Sequence, residues 1–230
     1  MSLIYFLRSF FMTSTPFRII FLGSQGAGKG TQAERLSCLL GIPAISTGAL
    51  CREEASKETP MGRTIGIYLQ AGRLLPSTLI SCLMQERLGR EDVKQGWIVD
   101  GYPRDQMQLT GLLAFTHPTH VIILELSDEE SIARLAGRRV CSNCKTGYHI
   151  LYMPPRIFGH CDRCDGLLVR RDDDTPEAIE RRLAIYHAET EPIITLFEKM
   201  GIVFRVNGAH SVEEIGEEIA VIFDASVCHL

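Results

Sequence analysis

The sequence predicts an α/β protein built on a doubly wound, parallel, five-stranded sheet. Five apolar runs alternate with helical patterns along the chain, and glycine, proline or asparagine separates many of these segments. Crossover helices cover both faces of a parallel sheet, so its strands are expected to be continuous apolar runs. The predicted strands are 18–22, 43–45, 97–99, 120–126 and 202–206. The predicted helices are 32–40, 49–58, 61–71, 77–88, 128–136, 175–200 and 212–223.

Length and composition fit one sizeable globular domain with insertions. The 230 residues are 45% hydrophobic and 23% charged, with a net charge of −4. This charge gives no electrostatic footprint for a nucleic acid or an anionic membrane. The apolar segment 3–12 is too short to span a bilayer, and Arg8 interrupts it. Since the first predicted strand begins near residue 17, we expect residues 1–16 to be an extension outside the fold. Either Met12 is the natural start or the segment is a loose extension, and a targeting segment is the alternative. We expect the protein to be cytoplasmic.

A glycine-rich segment at 23–31, GSQGAGKGT, lies between the first predicted strand and the first helix. This context is typical of a phosphate-binding loop, in which backbone N–H groups and the helix N-terminus face a polyphosphate and Lys29 adds a full charge. The hydroxyl that usually follows the lysine and binds Mg²⁺ is displaced here to Thr31, because Gly30 takes its place. This displacement argues against a GTPase-like switch.

The aperiodic segment 140–174 contains two CxxC pairs, whose four cysteines are Cys141, Cys144, Cys161 and Cys164. Their spacing is typical of a structural zinc site with four thiolate ligands. Metal binding would supply folding free energy that the few apolar residues of the segment cannot. Disulfides and a metal-free remnant are the alternatives, and His149 and His160 are nearby potential ligands.

Polar side chains follow two of the predicted strands. Thr47 and Arg52 lie after the second strand, while Asp100 and Arg104 lie after the third. Carboxyl ends of parallel strands share one edge of the sheet, where ligands of such folds bind. We therefore expect these side chains to meet a ligand there, with Asp100 near a magnesium ion.

Arginines are concentrated around the cysteine segment. Arg134 and Arg138 are four residues apart, a spacing that predicts one shared helix face. Like charges at this spacing disfavour the helix unless an anion lies between them. Further arginines stand at 139, 170, 171, 181 and 182. Phosphoryl transfer needs such positive charge around the moving group.

Taken together, these motifs resemble those of adenylate kinases of the long-lid type with a zinc-binding lid. The resemblance runs from about residue 17 to the C-terminus and includes GSQGAGKGT, STGxxxR, AGRLLP, VDGYPR, GRRVCxxC, RRDDD and RRL, in the family's order. It implies a core at 17–136 and 175–230, a nucleoside monophosphate (NMP)-binding helical insertion at 46–75 and a zinc-stapled lid at 137–174. It also implies reversible phosphoryl transfer from MgATP to AMP, giving two ADP. We expect a monomer, because the sequence shows no long apolar surface stripe.

The resemblance implies roles for individual residues as well. Those implied to bind ATP are Gly26, Ala27, Gly28, Lys29, Gly30, Thr31, Arg134, Arg138, Gly147, Tyr148 and His210. Those implied to bind AMP are Thr47, Arg52, Arg73, Leu74, Leu75, Gly101, Tyr102, Pro103, Arg104, Gln108, Arg171 and Arg182. The implied catalytic group is Lys29, Arg104, Arg134, Arg138, Arg171 and Arg182, with Asp100 holding Mg²⁺ through water.

The chain departs from the family pattern at Ala49, where an acidic residue usually follows STG and helps hold the waters of magnesium. We expect activity with a weakened or rearranged magnesium network. A kinase for CMP, UMP or GMP is one alternative, although Thr47 and Gln108 favour adenine within the resemblance. A nucleotide-gated module whose knuckle contacts RNA or protein is another, but acidic residues dilute the charge of the lid.

Overall fold

The computed structural model describes residues 16–70, 75–170 and 174–228. A five-stranded parallel sheet forms the centre. Its strands are β1 Phe17–Leu22, β2 Ala44–Ser46, β3 Gly96–Asp100, β4 His120–Glu125 and β8 Val203–Asn207. Their order across the sheet is β2-β3-β1-β4-β8. The predicted fold class and all five predicted strands are confirmed, with ends that differ by at most one residue.

Helices on both faces of the sheet bury its side chains in two cores. Along β1, Ile20 and Leu22 join one core, while Ile19 and Phe21 join the other. All four are at most 2% exposed, as expected for a central parallel strand. The helices are α1 Lys29–Leu40, α2 Thr47–Ala55, α3 Pro60–Gln70, α4 Ser77–Leu88, α5 Gln106–Phe115, α6 Asp128–Gly137, α7 Pro176–Ile185, α8 Glu191–Lys199 and α9 Val212–Cys228.

Two helical features differ from the prediction. Helix α5 was not predicted, because its sequence QMQLTGLLAF has apolar residues on most faces and therefore shows no helical period. Asp105 is its N-cap residue and accepts a hydrogen bond from the Gln108 N–H. The predicted helix 175–200 is interrupted by a π-helical turn at Tyr186–Thr190. Within that turn the Thr190 hydroxyl donates to the Arg104 carbonyl oxygen, so the irregular turn contacts the loop after β3.

A second, antiparallel sheet lies in the segment that contains the cysteine pairs. It has the order β6-β5-β7, with β5 at Arg138–Cys141, β6 at Gly147–His149 and β7 at Leu168–Val169. These strands are only two to four residues long and carry no alternating pattern, so the sequence did not predict them. Within the described ranges, no helix is long and apolar enough to cross a membrane.

The junction between core and lid depends on a glycine and a histidine. The His149 Nδ1 accepts from the N–H groups of Leu151 and Tyr152, so Nε2 is left to donate to the Arg134 carbonyl oxygen at 3.0 Å. A Cβ at Gly137 would lie 2.4 Å from the His149 Nε2. Gly137 therefore lets the imidazole join the end of α6 to the first hairpin of the lid.

Candidate active site

The glycine loop joins β1 to α1 through backbone conformations that favour glycine. Gly23, Gly26 and Gly28 have φ values of +136°, +90° and +90°. A Cβ at Gly23 would lie 2.4 Å from the Leu124 carbonyl oxygen of the neighbouring strand. The loop thus turns tightly at the carboxyl edge of the sheet, with the N-terminus of α1 directly behind it, an arrangement that binds anions.

Lys29, the first residue of α1, folds its ammonium group back over the loop. Its Nζ donates to the carbonyl oxygens of Gly23 and Ser24, both at 2.8 Å. Burial lowers the pKa of Lys29 to about 8, although the nearby Asp100 carboxylate opposes the shift. A bound polyphosphate would restore the charged form, so Lys29 is suited to an anion.

The carboxylate of Asp100, at the end of β3, lies beside the same loop. In the register of the sheet Asp100 faces Phe21, and its Oδ2 lies 3.5 Å from the position of a Cβ on Gly30. The Asp100 carboxylate and the hydroxyl of Thr31, the residue after Gly30, are oxygen donors that suit magnesium. These donors fit the ion that the sequence predicted.

Side chains after β2 and β3 hold one another in place. The Thr47 hydroxyl donates to the Asp100 carbonyl oxygen at 3.0 Å. The Gln108 Oε1 accepts from the backbone N–H of Arg104 at 2.9 Å, and the Tyr102 hydroxyl donates to the Gln108 carbonyl oxygen at 3.1 Å. Thr47, Tyr102 and Gln108 are therefore buried supports of the loop that carries Arg104. Their predicted contacts with a bound nucleotide stay predictions.

The guanidinium of Arg104 faces a cavity at the end of β1. Its Nε donates to the Gly101 carbonyl oxygen at 2.8 Å, and burial lowers the pKa of Arg104, with Asp100 acting in the opposite direction. The cavity has a volume of about 60 Å³. Its lining residues include Gln25, Lys29, Gly101, Arg104, Arg182, Tyr186 and Thr190. The structure thus brings together the loop lysine and two of the predicted phosphate-binding arginines.

Asp174 is a buried carboxylate that binds two arginines of the predicted catalytic group. Arg138 pairs with it through two hydrogen bonds, Nε to Oδ2 at 2.8 Å and one terminal nitrogen to Oδ1 at 2.6 Å. Arg182 donates to Oδ1 at 2.9 Å, and Arg170 donates to the Asp174 backbone oxygen. The side chain of Asp174 is 0% exposed. Sequence reasoning missed this residue, although an aspartate among four arginines, directly before the helix cap Thr175, could have indicated it.

Arg134 lies apart from this pair, at the edge of the lid. The expected helix face shared by Arg134 and Arg138 is wrong, because α6 ends at Gly137 and Arg138 is extended as the first residue of β5. One terminal nitrogen donates to the Ala209 carbonyl oxygen at 3.2 Å, and the guanidinium carbon lies 4.9 Å from the ring centroid of Tyr152. Next to Ala209, the exposed His210 forms a hydrogen bond with Asn207 at 3.0 Å. The structure therefore brings two residues predicted to bind ATP, Arg134 and His210, to the same loop after β8.

Tyr148 differs from its expected placement over the ATP base. Its ring is 7% exposed and packs against Cys141 and Cys161, while its hydroxyl accepts from the Asp162 N–H at 2.8 Å. The side chain is therefore part of the lid interior, and Gly147 beside it is exposed. Tyr152, which sequence reasoning did not select, is the lid aromatic residue that contacts Arg134.

Arg73, Leu74 and Arg171 lie outside the described residues, as does the extension at 1–15.

The four cysteines of the lid converge as the spacing predicted. Their sulfur atoms all lie within 4.8 Å of one another, and the pairs Cys141–Cys164 and Cys144–Cys161 are each 3.5 Å apart. These separations are far longer than a disulfide bond of about 2.05 Å, which removes the disulfide alternative. Tetrahedral zinc with bonds of about 2.3 Å places sulfur atoms about 3.8 Å apart, so the cluster fits that ion.

The chain around three of the four sulfur atoms also suits thiolates. The exception is Cys164: a hydrogen bond from the Gly166 N–H acts to lower its pKa, but hydrogen bonds with Cys144 and Cys141 outweigh it and raise the pKa to about 11. Backbone N–H groups of Asn143 and Arg163 point at the sulfur atoms of Cys141 and Cys161 at 3.4 Å. The hydroxyl of Thr146 lowers the pKa of Cys144 to about 6 through a hydrogen bond. Thiolates are the form in which cysteine binds metal. His149 and His160 have partners elsewhere, Arg134 and Asp165, and do not belong to the described cluster.

Comparison with known proteins agrees with this geometry. A family model described as adenylate kinase matches residues 21–202. Adenylate kinase of Thermodesulfovibrio yellowstonii is 40% identical over 212 residues, which cover 90% of this chain and 99% of that protein. The adenylate kinases of Archaeoglobus fulgidus and Pyrococcus horikoshii are each 39% identical over 211 residues, 90% of this chain and 97% and 95% of theirs.

The lowered pKa of Lys29 predicts how nucleotide affinity depends on pH. Below about pH 8 the ammonium is charged, and above it the free protein loses that charge, so ATP binding must then take up a proton. We expect the dissociation constant of ATP to rise by up to about tenfold per pH unit above pH 8. Isothermal titration calorimetry from pH 7 to 9.5 measures this rise. Lys29→Arg, which stays charged, should show a flat profile; equal slopes for both proteins would contradict the assignment.

Proposed function

The chain belongs to the adenylate kinase family and transfers a phosphoryl group from ATP to AMP, and we propose the following division of roles within its site. The observation that carries the proposal is the convergence of Lys29, Arg104 and Arg182 on one cavity at the end of β1. We assign the glycine loop, residues 26–31, to the phosphates of ATP. We assign Arg52 and Arg104 to the phosphate of AMP.

In this arrangement an oxygen of the AMP phosphate attacks the γ-phosphorus of ATP. A bond forms between that oxygen and the phosphorus while the bond from the phosphorus to the β-phosphate oxygen breaks, so two ADP molecules result. Negative charge spreads over the transferred group, and preorganised positive groups stabilise it. Lys29 follows the transferred group. Arg138 and Arg182 neutralise its negative charge, and Asp174 sets the orientation of the two guanidinium groups.

Adenylate kinases use Mg²⁺ with ATP, and we propose that Asp100 and the hydroxyl of Thr31 help to hold this ion. Magnesium offsets charge on the phosphates when it is bound. Ala49 contributes a hydrogen bond only through its backbone, to the Ser46 hydroxyl at 3.4 Å. The absence of a carboxylate at position 49 supports a magnesium network that depends more heavily on Asp100.

We further propose the domain division that the resemblance implies. The core is 17–136 and 175–230, the NMP-binding insertion is 46–75, and the lid is 137–174. In the insertion, the described residue Leu75 and the undescribed Arg73 and Leu74 would line the AMP nucleoside. The contacts of Arg134 with the loop at 207–210 support binding of the ATP base beside that loop. Gly147 would contact the base through its backbone, whereas Tyr148 belongs to the lid interior.

The Cys₄ cluster is compatible with zinc, and we propose that zinc is the resident ion and that its role is structural. Four thiolates complete a tetrahedral shell and leave no open position for chemistry. We also propose that the enzyme works as a monomer, because one chain supplies the described groups of the site. A cytoplasmic location agrees with the reduced cysteines and with a need for ATP and AMP.

The test of the proposed function is a coupled turnover assay with MgATP and equal concentrations of AMP, CMP, UMP and GMP. We expect AMP to be strongly preferred, because a site built to hydrogen-bond one base leaves buried polar groups unpaired with another. Formation of ADP is followed by coupled oxidation of NADH, with each product checked by chromatography. Preferred turnover of another monophosphate would contradict the substrate, and no transfer to any of them would contradict the function.

Loss of one zinc ligand should affect stability more than chemistry. We expect Cys141→Ser to lower the melting temperature by about 5 °C or more, since each 1 kcal/mol lost shifts it by roughly 2–4 °C in a protein of this size. The single-turnover rate at saturating nucleotide and low temperature should stay within about threefold of the unmodified protein. Cys38→Ser, at an exposed position on α1, is the matched control. Equal melting temperatures for the two variants would refute a structural metal.

A further inference from the structure

Gln25, in the middle of the glycine loop, carries a polar atom that the roles above do not use. Its carboxamide oxygen is inaccessible to solvent and has no hydrogen-bond partner among the residues that the structure describes. A buried carbonyl oxygen without a donor is rare in folded proteins. Gln25 also lines the cavity between the loop and the arginines. The unsatisfied atom therefore belongs to a residue of the site where the phosphates meet.

The chemistry of the cavity limits what can satisfy this oxygen. Phosphate oxygens accept hydrogen bonds at neutral pH, so they cannot pair with another acceptor. The charged donors that line the cavity are Lys29, Arg104 and Arg182. Lys29 already donates to two carbonyl oxygens, and Arg182 already donates to the Ala178 oxygen and to Asp174. Both side chains therefore already use donors on other acceptors.

Arg104 has N–H groups that could donate to the Gln25 oxygen. Its one described side-chain hydrogen bond is from Nε to the Gly101 carbonyl oxygen, which leaves both terminal nitrogens without a described partner. A guanidinium has five N–H donors in a planar fork, so one edge can bind a phosphate while another hydrogen bonds to an amide oxygen. An acceptor at the second edge would fix the plane of the fork.

We propose that Gln25 is a positioning residue for Arg104: when AMP is bound, its carboxamide oxygen accepts from a terminal nitrogen of Arg104 and orients the guanidinium toward the AMP phosphate. The glycine loop would then do more than bind ATP, because it would also align the acceptor of the phosphoryl group. This inference rests on the proposed role of Arg104 on the AMP side.

The test is a double-mutant cycle of Gln25→Met with Arg104→Lys. Methionine keeps the length of the side chain and removes its amide, and lysine removes the planar fork. We expect Gln25→Met alone to lower kcat/KM for AMP by about 10- to 100-fold, as for loss of a hydrogen bond to a charged group. The KM for ATP and the slow hydrolysis of ATP without AMP should change less than threefold. In the Arg104→Lys background the same substitution should cost less than about twofold.

Two results would overturn the inference. One is a Gln25→Met protein with an unchanged kcat/KM for AMP, and the other is an equal loss in both backgrounds. Gln95→Met, at an exposed position before β3, is the matched control and should behave as the unmodified protein. If Gln25→Met lowers the melting temperature, Gln25→Asn, which withdraws the amide by one methylene, replaces it in the cycle. Failure of the unmodified protein to phosphorylate AMP would instead contradict the proposed function, so the two failures are distinguishable.

Discussion

The buried carboxylate of Asp174 is the constraint on which the arrangement of the site depends. It lies where the chain leaves the lid and re-enters the core. It binds Arg138, at the start of the lid, and Arg182, on α7 after the lid. Removing one partner from a buried charge pair is strongly destabilising, by about 3–5 kcal/mol, since it leaves a charge without compensation. The two arginines thus stay together before a nucleotide arrives, and the cost of ordering them at the moment of reaction is small.

The parallel sheet supplies the other half of the site. Because β1, β2 and β3 end at the same edge, the glycine loop, Thr47 and Asp100 meet there without a long connection. Helix α6 joins this edge to the lid: Ser131 shares a 2.7 Å hydrogen bond with Ser24 of the loop, and the Arg134 carbonyl oxygen accepts from His149 of the lid. A shift of the lid is therefore expected to reach the glycine loop through one helix.

Much of this could be predicted from the sequence, and the reasons differ between elements. The five strands are continuous apolar runs, and the glycine loop and paired cysteines are local patterns whose chemistry depends on spacing alone. Helix α5 lacked a period because it is apolar on most faces, and the lid strands are too short to show one. The π-helical turn could not be predicted, because it depends on tertiary contacts such as that between Thr190 and Arg104. Asp174 and the burial of Tyr148 were missed for the same reason, since their partners are distant in sequence or belong to the metal cluster.

The most direct test of this account is the single-turnover rate of Asp174→Asn at saturating MgATP and AMP, measured by rapid quench. The account predicts transfer about 100-fold slower than in the unmodified protein, with nucleotide dissociation constants within about threefold, because preorganised charge is lost while the binding groups remain. Asp165→Asn is the matched control, because its side chain is 84% exposed and asparagine tolerates its positive φ of 58°. An Asp174→Asn protein that transfers the phosphoryl group at the unmodified rate would contradict the claim that this carboxylate organises the site.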